Sequence, residues 1–127
     1  MVEAPRPKWV RQSTSVSVDL RADLTPLFQA IPNLDMTLFS DALSLSGVSH
    51  WFPVQSHVIP ELLRPPLWTR PRDICVAAPT GSGKTLCYVL PIIQNLAPRI
   101  TQDIKALIVL PIQDLALQVS QLILIIF

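Results

Sequence analysis

Eight consecutive residues, Ala78-Pro79-Thr80-Gly81-Ser82-Gly83-Lys84-Thr85, combine the groups needed to hold a chain of phosphates. Gly81 and Gly83 permit backbone conformations that turn successive N–H groups toward one point, and an uncharged peptide surrounds an oxyanion in this way. Lys84 adds a full positive charge suited to β- and γ-phosphates, and the Thr85 hydroxyl suits the magnesium ion that bridges them. The usual spacing is Gly, four residues, Gly-Lys and then Ser or Thr; here Ala78 occupies the first glycine position. An ordinary glycine turn is the bland alternative. The setting argues against it, because the loop lies between a continuous apolar run and an amphipathic stretch.

No other side chains form a constellation of comparable specificity. His50 and His57 lack a third ligand or a carboxylate nearby in sequence, so they read as solvated or hydrogen-bonded histidines. Trp9, Trp51 and Trp68 are far apart and without interleaved basic residues, which favours packing over base stacking. Arg64, Arg70 and Arg72 suit phosphate as guanidinium forks, with a solvated loop as the simpler reading. Cys75 and Cys87 flank the glycine loop without the spacing of a redox or metal pair, and they read as buried, reduced thiols.

The loop needs a strand to end at it and a helix to begin from it. Ile74-Cys75-Val76-Ala77-Ala78 is a short continuous apolar run that reads as a buried strand. Leu86, Leu90, Ile93 and Ala97 follow at helical steps, with Pro91 placed to kink that helix. Ala106-Leu107-Ile108-Val109-Leu110 repeats the strand pattern, and Asp114 to about Ile126 reads as a second helix. Strand, loop, helix, strand, helix is the opening of an α/β fold with a parallel sheet and helices on both faces. A parallel sheet presents ligands at the carboxyl ends of its strands, where this loop lies. Upstream, residues 26–72 hold clustered apolar positions that predict two short helices broken by Gly47 to Pro53, then a proline-punctuated loop from Arg64 to Arg72. Residues 1–25 show no sustained period and read as a flexible leader, leaving 73–127 as the phosphate-binding unit.

The 127 residues suffice for one small domain, half of them apolar and 15% charged, which suits a chain that buries a core. A net charge of +1 provides no broad field for nucleic acid or an anionic membrane, so any nucleic-acid contact must be local. No run reaches the roughly 18 apolar residues of a membrane span, and the first residues lack the apolar stretch of a secretion signal. The expectation is a soluble intracellular protein.

With Ala78 in its first position, the glycine loop resembles the first motif of the DEAD-box RNA helicases. Phe52-Pro53-Val54-Gln55 resembles that family's adenine-reading segment with its closing glutamine, and Leu110-Pro111-Ile112-Gln113-Asp114-Leu115-Ala116-Leu117-Gln118 resembles its RNA-backbone motif. The likeness runs from about Ile31 to Val119. It implies a RecA-like domain, here incomplete, that binds ATP and magnesium through Phe52, Gln55 and Ala78 to Thr85, with Lys84 and Thr85 catalytic and Thr85 the magnesium ligand. Gln55 would pair with the adenine edge by one donated and one accepted hydrogen bond. Pro111, Gln113 and Asp114 would meet RNA. Phe-Pro-Val-Gln and Arg70-Pro71-Arg72-Asp73 look most like the nucleolar subgroup that assists assembly of the large ribosomal subunit, which implies a pre-ribosomal RNA partner.

Several positions depart from the family pattern. Ala30 stands where an aromatic residue usually stacks on the base, with Phe28 the nearest substitute, and Ile112 and Gln113 replace the usual threonine and arginine of the RNA motif. Asp-Glu-Ala-Asp, which would hold magnesium and orient water, does not occur; Asp103 and Asp114 are the nearest candidates, and neither directly ends an apolar run. The uncharged, β-prone stretch Leu122 to Phe127 gives the chain the look of a truncated or misassembled gene product. Two other readings stand beside the helicase: a non-catalytic ATP-binding fragment, and an unrelated small nucleotide kinase or NTPase built on the same loop.

Overall fold

The computed structural model describes residues 14–16, 24–27, 29, 31–64, 73–97 and 103–126. The expectations placed on Trp9, Phe28, Ala30, Trp68, Arg70, Arg72 and most of the leader fall outside them. Within the described residues, helix α1 spans Ser40–Leu45 and helix α2 spans Pro53–Leu63, as the apolar clustering predicts. Leu43 sits one helical turn after Phe39, on the same face, and both are buried. Gly47 ends α1 because its φ of 75° is left-handed. Its N–H reaches the Ser44 carbonyl and the Val48 N–H reaches that of Leu43, satisfying two carbonyls at the helix end. The chain then forms strand β2, His50–Trp51, which pairs antiparallel with β1, Thr25–Pro26.

Pro53 opens α2 at its first position, where a missing N–H costs nothing. Helix α3, Lys84–Leu96, runs unbroken through Pro91, and its apolar stripe of Val89, Leu90 and Ile93 is buried. Helix α4 spans Gln113–Ile126. Its inward face carries Val119 and Ile126, seven residues apart, with Leu122 and Ile123 packed beside them. Trp51, Phe39, Leu43, Ile59, Leu90 and Val89 form the centre of a core shared by all four helices. The segment before α1 is fastened to α3 by one side chain. The Asp35 N–H donates to Gln94 Oε1 at 2.8 Å, and Gln94 Nε2 donates to the Asn33 carbonyl at 2.8 Å.

The expected burial of two runs is corrected here. The runs Ile74 to Ala78 and Ala106 to Leu110 were expected as buried, paired strands, yet among the described residues the sheet is the two-stranded antiparallel β1–β2 pair alone. Leu107 and Val109 are 84% and 82% exposed, while Ile108 and Leu110 pack against the core. That alternation is the signature of a strand with one covered face. Among the described residues neither run is paired into a sheet, and apolar composition alone cannot supply a partner. Leu122 to Ile126, β-prone in composition, completes the helix expected from Asp114 to about Ile126. It continues a run of good helix formers from Leu115 onward, and its inward positions find the core at helical spacing.

Candidate nucleotide-phosphate site

The loop from Ala78 to Thr85 leads directly into α3, so the positive end of that helix lies at the glycines. Gly81 and Gly83 both adopt φ near 81°, the left-handed conformation that a side chain would disfavour. A Cβ added at Gly81 would meet nothing within 4 Å, so at this position the requirement is conformational. At Gly83 it is also steric. A Cβ there would sit 2.4 Å from Gln55 Nε2 and 2.8 Å from Phe52 Cδ2.

Lys84 is half-buried in the first turn of α3, and its ammonium is turned back on the loop. Nζ donates to the carbonyls of Ala78 and Pro79, each at 2.6 Å. These bonds fold the lysine back over the space between Ala78 and the start of α3. The Pro79 carbonyl also accepts the Ser82 N–H at 3.4 Å, closing the turn, while Thr80 lies exposed at its tip. Ser82 is 3% exposed, and its hydroxyl has no hydrogen-bond partner. A buried unpaired hydroxyl, an open left-handed glycine and a lysine held only by carbonyl oxygens together suit an incoming anion. Thr85, the hydroxyl expected to ligate magnesium, lies half-buried one residue further along α3.

Gln55 connects this loop to α2. It occupies the third position of that helix and is 1% exposed. Its Oε1 accepts the N–H of Phe52, the residue that caps α2, at 2.9 Å, satisfying a donor that the helix start would leave orphaned. Its Nε2 donates to the Gly83 carbonyl at 3.1 Å. The Cys87 thiol donates to the same carbonyl at 3.7 Å. Burial pushes that thiol up to about 11, so it is protonated and able to donate at neutral pH. Cys75, expected to be buried, is exposed.

Residues 52–125, well over half of the chain, match the family model described as DEAD/DEAH box helicase. The chain belongs to the DEAD/DEAH box helicase family. The match covers α2, the phosphate loop, α3 and nearly all of α4. Among curated relatives, the chain is 41% identical over 122 residues to zebrafish (Danio rerio) ATP-dependent RNA helicase DDX51. It is 42% identical over 123 residues to the human (Homo sapiens) protein of the same name. It is also 41% identical over 131 residues to the probable ATP-dependent RNA helicase Dbp73D of Drosophila melanogaster. These alignments take in 90%, 91% and 96% of this chain but only 18%, 18% and 19% of the relatives. The chain thus spans about a fifth of the length of the proteins it matches. No solved structure matches it.

Within this DEAD/DEAH box chain, the remaining candidates are dispersed. Pro111 and Ile112 are exposed before α4, and Gln113 and Asp114 are exposed in its first turn. Asp103 is paired with Lys105 at 3.0 Å. His50 Nδ1 lies 2.9 Å from the Ser49 hydroxyl and His57 Nδ1 lies 2.8 Å from the Pro53 carbonyl, the local hydrogen bonding their sequence context suggests. Arg64 pairs with Glu61 at 3.1 Å on the outside of α2. Trp51 belongs to the core. Sequence reasoning missed the contacts of Gly83 with Phe52 and Gln55, the bonding of Lys84 to its own loop, and the double bond of Gln94. The second glycine of Gly-x-Gly-Lys could have pointed to a close approach; nothing about an isolated glutamine on a helix points to a clamp.

Proposed function

We propose that this chain is the ATP-binding front portion of an ATP-dependent RNA helicase that acts on pre-ribosomal RNA in the nucleolus. The observation that carries the reading is the phosphate loop at the start of α3, with Lys84 folded across it and Gln55 bonded to it from α2. ATP is held through Phe52, Gln55 and Ala78 to Thr85, with magnesium at Thr85 and RNA at Pro111, Gln113 and Asp114. Residues 1–25 are a leader, 26–72 the adenine-reading region and 73–127 the start of a RecA-like unit. In that unit the runs 74–78 and 106–110 are strands of a parallel sheet, a reading supported by the alternating exposure along Leu107 to Leu110. Among the described residues no helix is long and apolar enough to cross a membrane. The chain contains no Asp-Glu-Ala-Asp sequence, so hydrolysis is assigned to the whole protein.

Gln55 retains one uncommitted N–H and one uncommitted lone pair after its two bonds in the chain, which is the pair of groups an adenine edge requires. Because the side chain is 1% exposed, its cover must open for a base to reach it. A bidentate amide-to-adenine pair discriminates by about 1–3 kcal/mol. Calorimetric titration should therefore show tighter binding of Mg-ATP than of Mg-GTP, with Gln55→Ala abolishing the difference. Equal affinity of the wild-type chain for the two nucleotides would refute base reading by Gln55.

A further inference from the structure

We propose that Gln94 is a positioning residue for the bound phosphates: its amide clasps the turn from Asn33 to Asp35 and so sets the direction of α3, and phosphate binding at the start of that helix tightens the clasp in return. This rests on the reading of Ala78 to Thr85 as a phosphate cradle.

The clasp is a two-point joint. The Asp35 N–H donates to Gln94 Oε1 and Gln94 Nε2 donates to the Asn33 carbonyl, each at 2.8 Å. A primary amide thus stands in for a neighbouring peptide, satisfying a donor and an acceptor that the turn leaves open. The turn needs holding, because Asn33 has a φ of 65° and is the one non-glycine residue with a positive φ among the described residues. A side chain in that left-handed region carries strain and persists where its surroundings over-determine it. Ile31 and Leu34 seat the turn in the core, and the Thr37 N–H and hydroxyl donate to the Asp35 carboxylate at 3.0 and 2.6 Å. Gln94 is what ties it to α3.

The helix needs the joint as much as the turn does. Pro91 has no N–H to give to the Cys87 carbonyl, so α3 lacks one internal bond and bends most easily there. Gln94 lies three residues beyond, on the last turn of the helix, and anchoring that turn holds α3 straight across the proline. The first turn, about 15 Å away, directs its free N–H groups and positive end at the phosphate loop. A conformer with the clasp open and α3 bent at Pro91 aims those groups elsewhere and binds phosphate more weakly. Linkage makes the effect reciprocal: the factor by which opening the clasp weakens binding is the factor by which bound phosphate suppresses opening.

Amide hydrogen exchange reads the clasp without any substitution, because the Asp35 N–H has Gln94 Oε1 as its acceptor. Calorimetric titration of Mg-ATP is made into the 127-residue chain and its Gln94→Ala variant, verified as folded by circular dichroism. The variant should bind about fivefold more weakly, the loss expected for one neutral hydrogen bond. In the wild type, saturating Mg-ATP should slow exchange of the Asp35 amide by the same factor. The Gly47 amide, bonded to the Ser44 carbonyl at the end of α1, has no tie to α3 and should keep its rate. A residue that merely stabilises the fold would not respond to a ligand at the other end of the helix. The proposal is overturned if Mg-ATP binds and leaves the Asp35 rate unchanged, if Asp35 and Gly47 slow equally, or if Gln94→Ala binds Mg-ATP as the wild type does. A wild-type chain that does not bind Mg-ATP would remove the cradle reading itself, and the coupling with it.

Discussion

Helix α3 and the segment from Asp103 to Ile126 are both apolar, but they are held very differently. Side-chain amides fasten α3 at two places, Gln55 onto Gly83 at its start and Gln94 onto Asn33 and Asp35 near its end. Its stripe of Val89, Leu90 and Ile93 is fully enclosed. In the later segment the polar ties are local, the Asp103–Lys105 pair and the Ser120 hydroxyl on the Leu117 carbonyl, and Ile104, Leu107, Val109 and Leu124 stand exposed. The contrast teaches that the phosphate loop and its helix are held by bonds that reach far along the chain, whereas Pro111 to Asp114 acquire no side-chain hydrogen-bond partner among the described residues.

The contrast can be broken most sharply by paired truncations. Leu90→Ala opens a cavity beneath α3 and should cost about 2–5 kcal/mol in urea unfolding. Leu107→Ala removes a side chain that touches little and should change stability by less than about 0.5 kcal/mol. Equal losses at the two positions would mean that the later segment is buried in solution as α3 is.

A smaller effect separates the two cysteines. Cys75 is exposed and should react readily with a thiol reagent at pH 8, while Cys87 should react only on unfolding. Because burial raises Cys87 from 9.0 to about 11, the folded chain retains that proton after the unfolded chain has lost it. Its stabilising contribution is therefore complete below pH 9 and declines as the pH rises toward 11. Cys87→Ala should remove this part of the alkaline decline, and a decline unchanged in that variant would assign it to other groups.

Local chemistry was legible in the sequence and remote pairing was not. The glycine loop, α1, α2, α3 and α4 follow from apolar spacing and from punctuation at Gly47, Pro53 and Gly83, all of which act within a few residues. The family likeness rested on the same short stretches. Burial of the runs 74–78 and 106–110 depends on which backbone lies alongside, and a run of Ile, Val and Leu cannot specify that. Gln55 was legible as a residue of interest by likeness to a motif, but its bond to Gly83 spans 28 positions in the chain. Lys84 was recognised for its charge, while the two carbonyls it bonds in this structure became visible only once the loop was folded.

The central claim is that the loop at the start of α3 is a phosphate cradle with Lys84 as its charged member, and titration of Mg-ATP into the wild-type and Lys84→Ala chains tests it most directly. A hydrogen bond to a charged group contributes about 1.5–3 kcal/mol, so the variant should bind at least about tenfold more weakly. Undiminished binding of Mg-ATP by the Lys84→Ala chain would contradict the account.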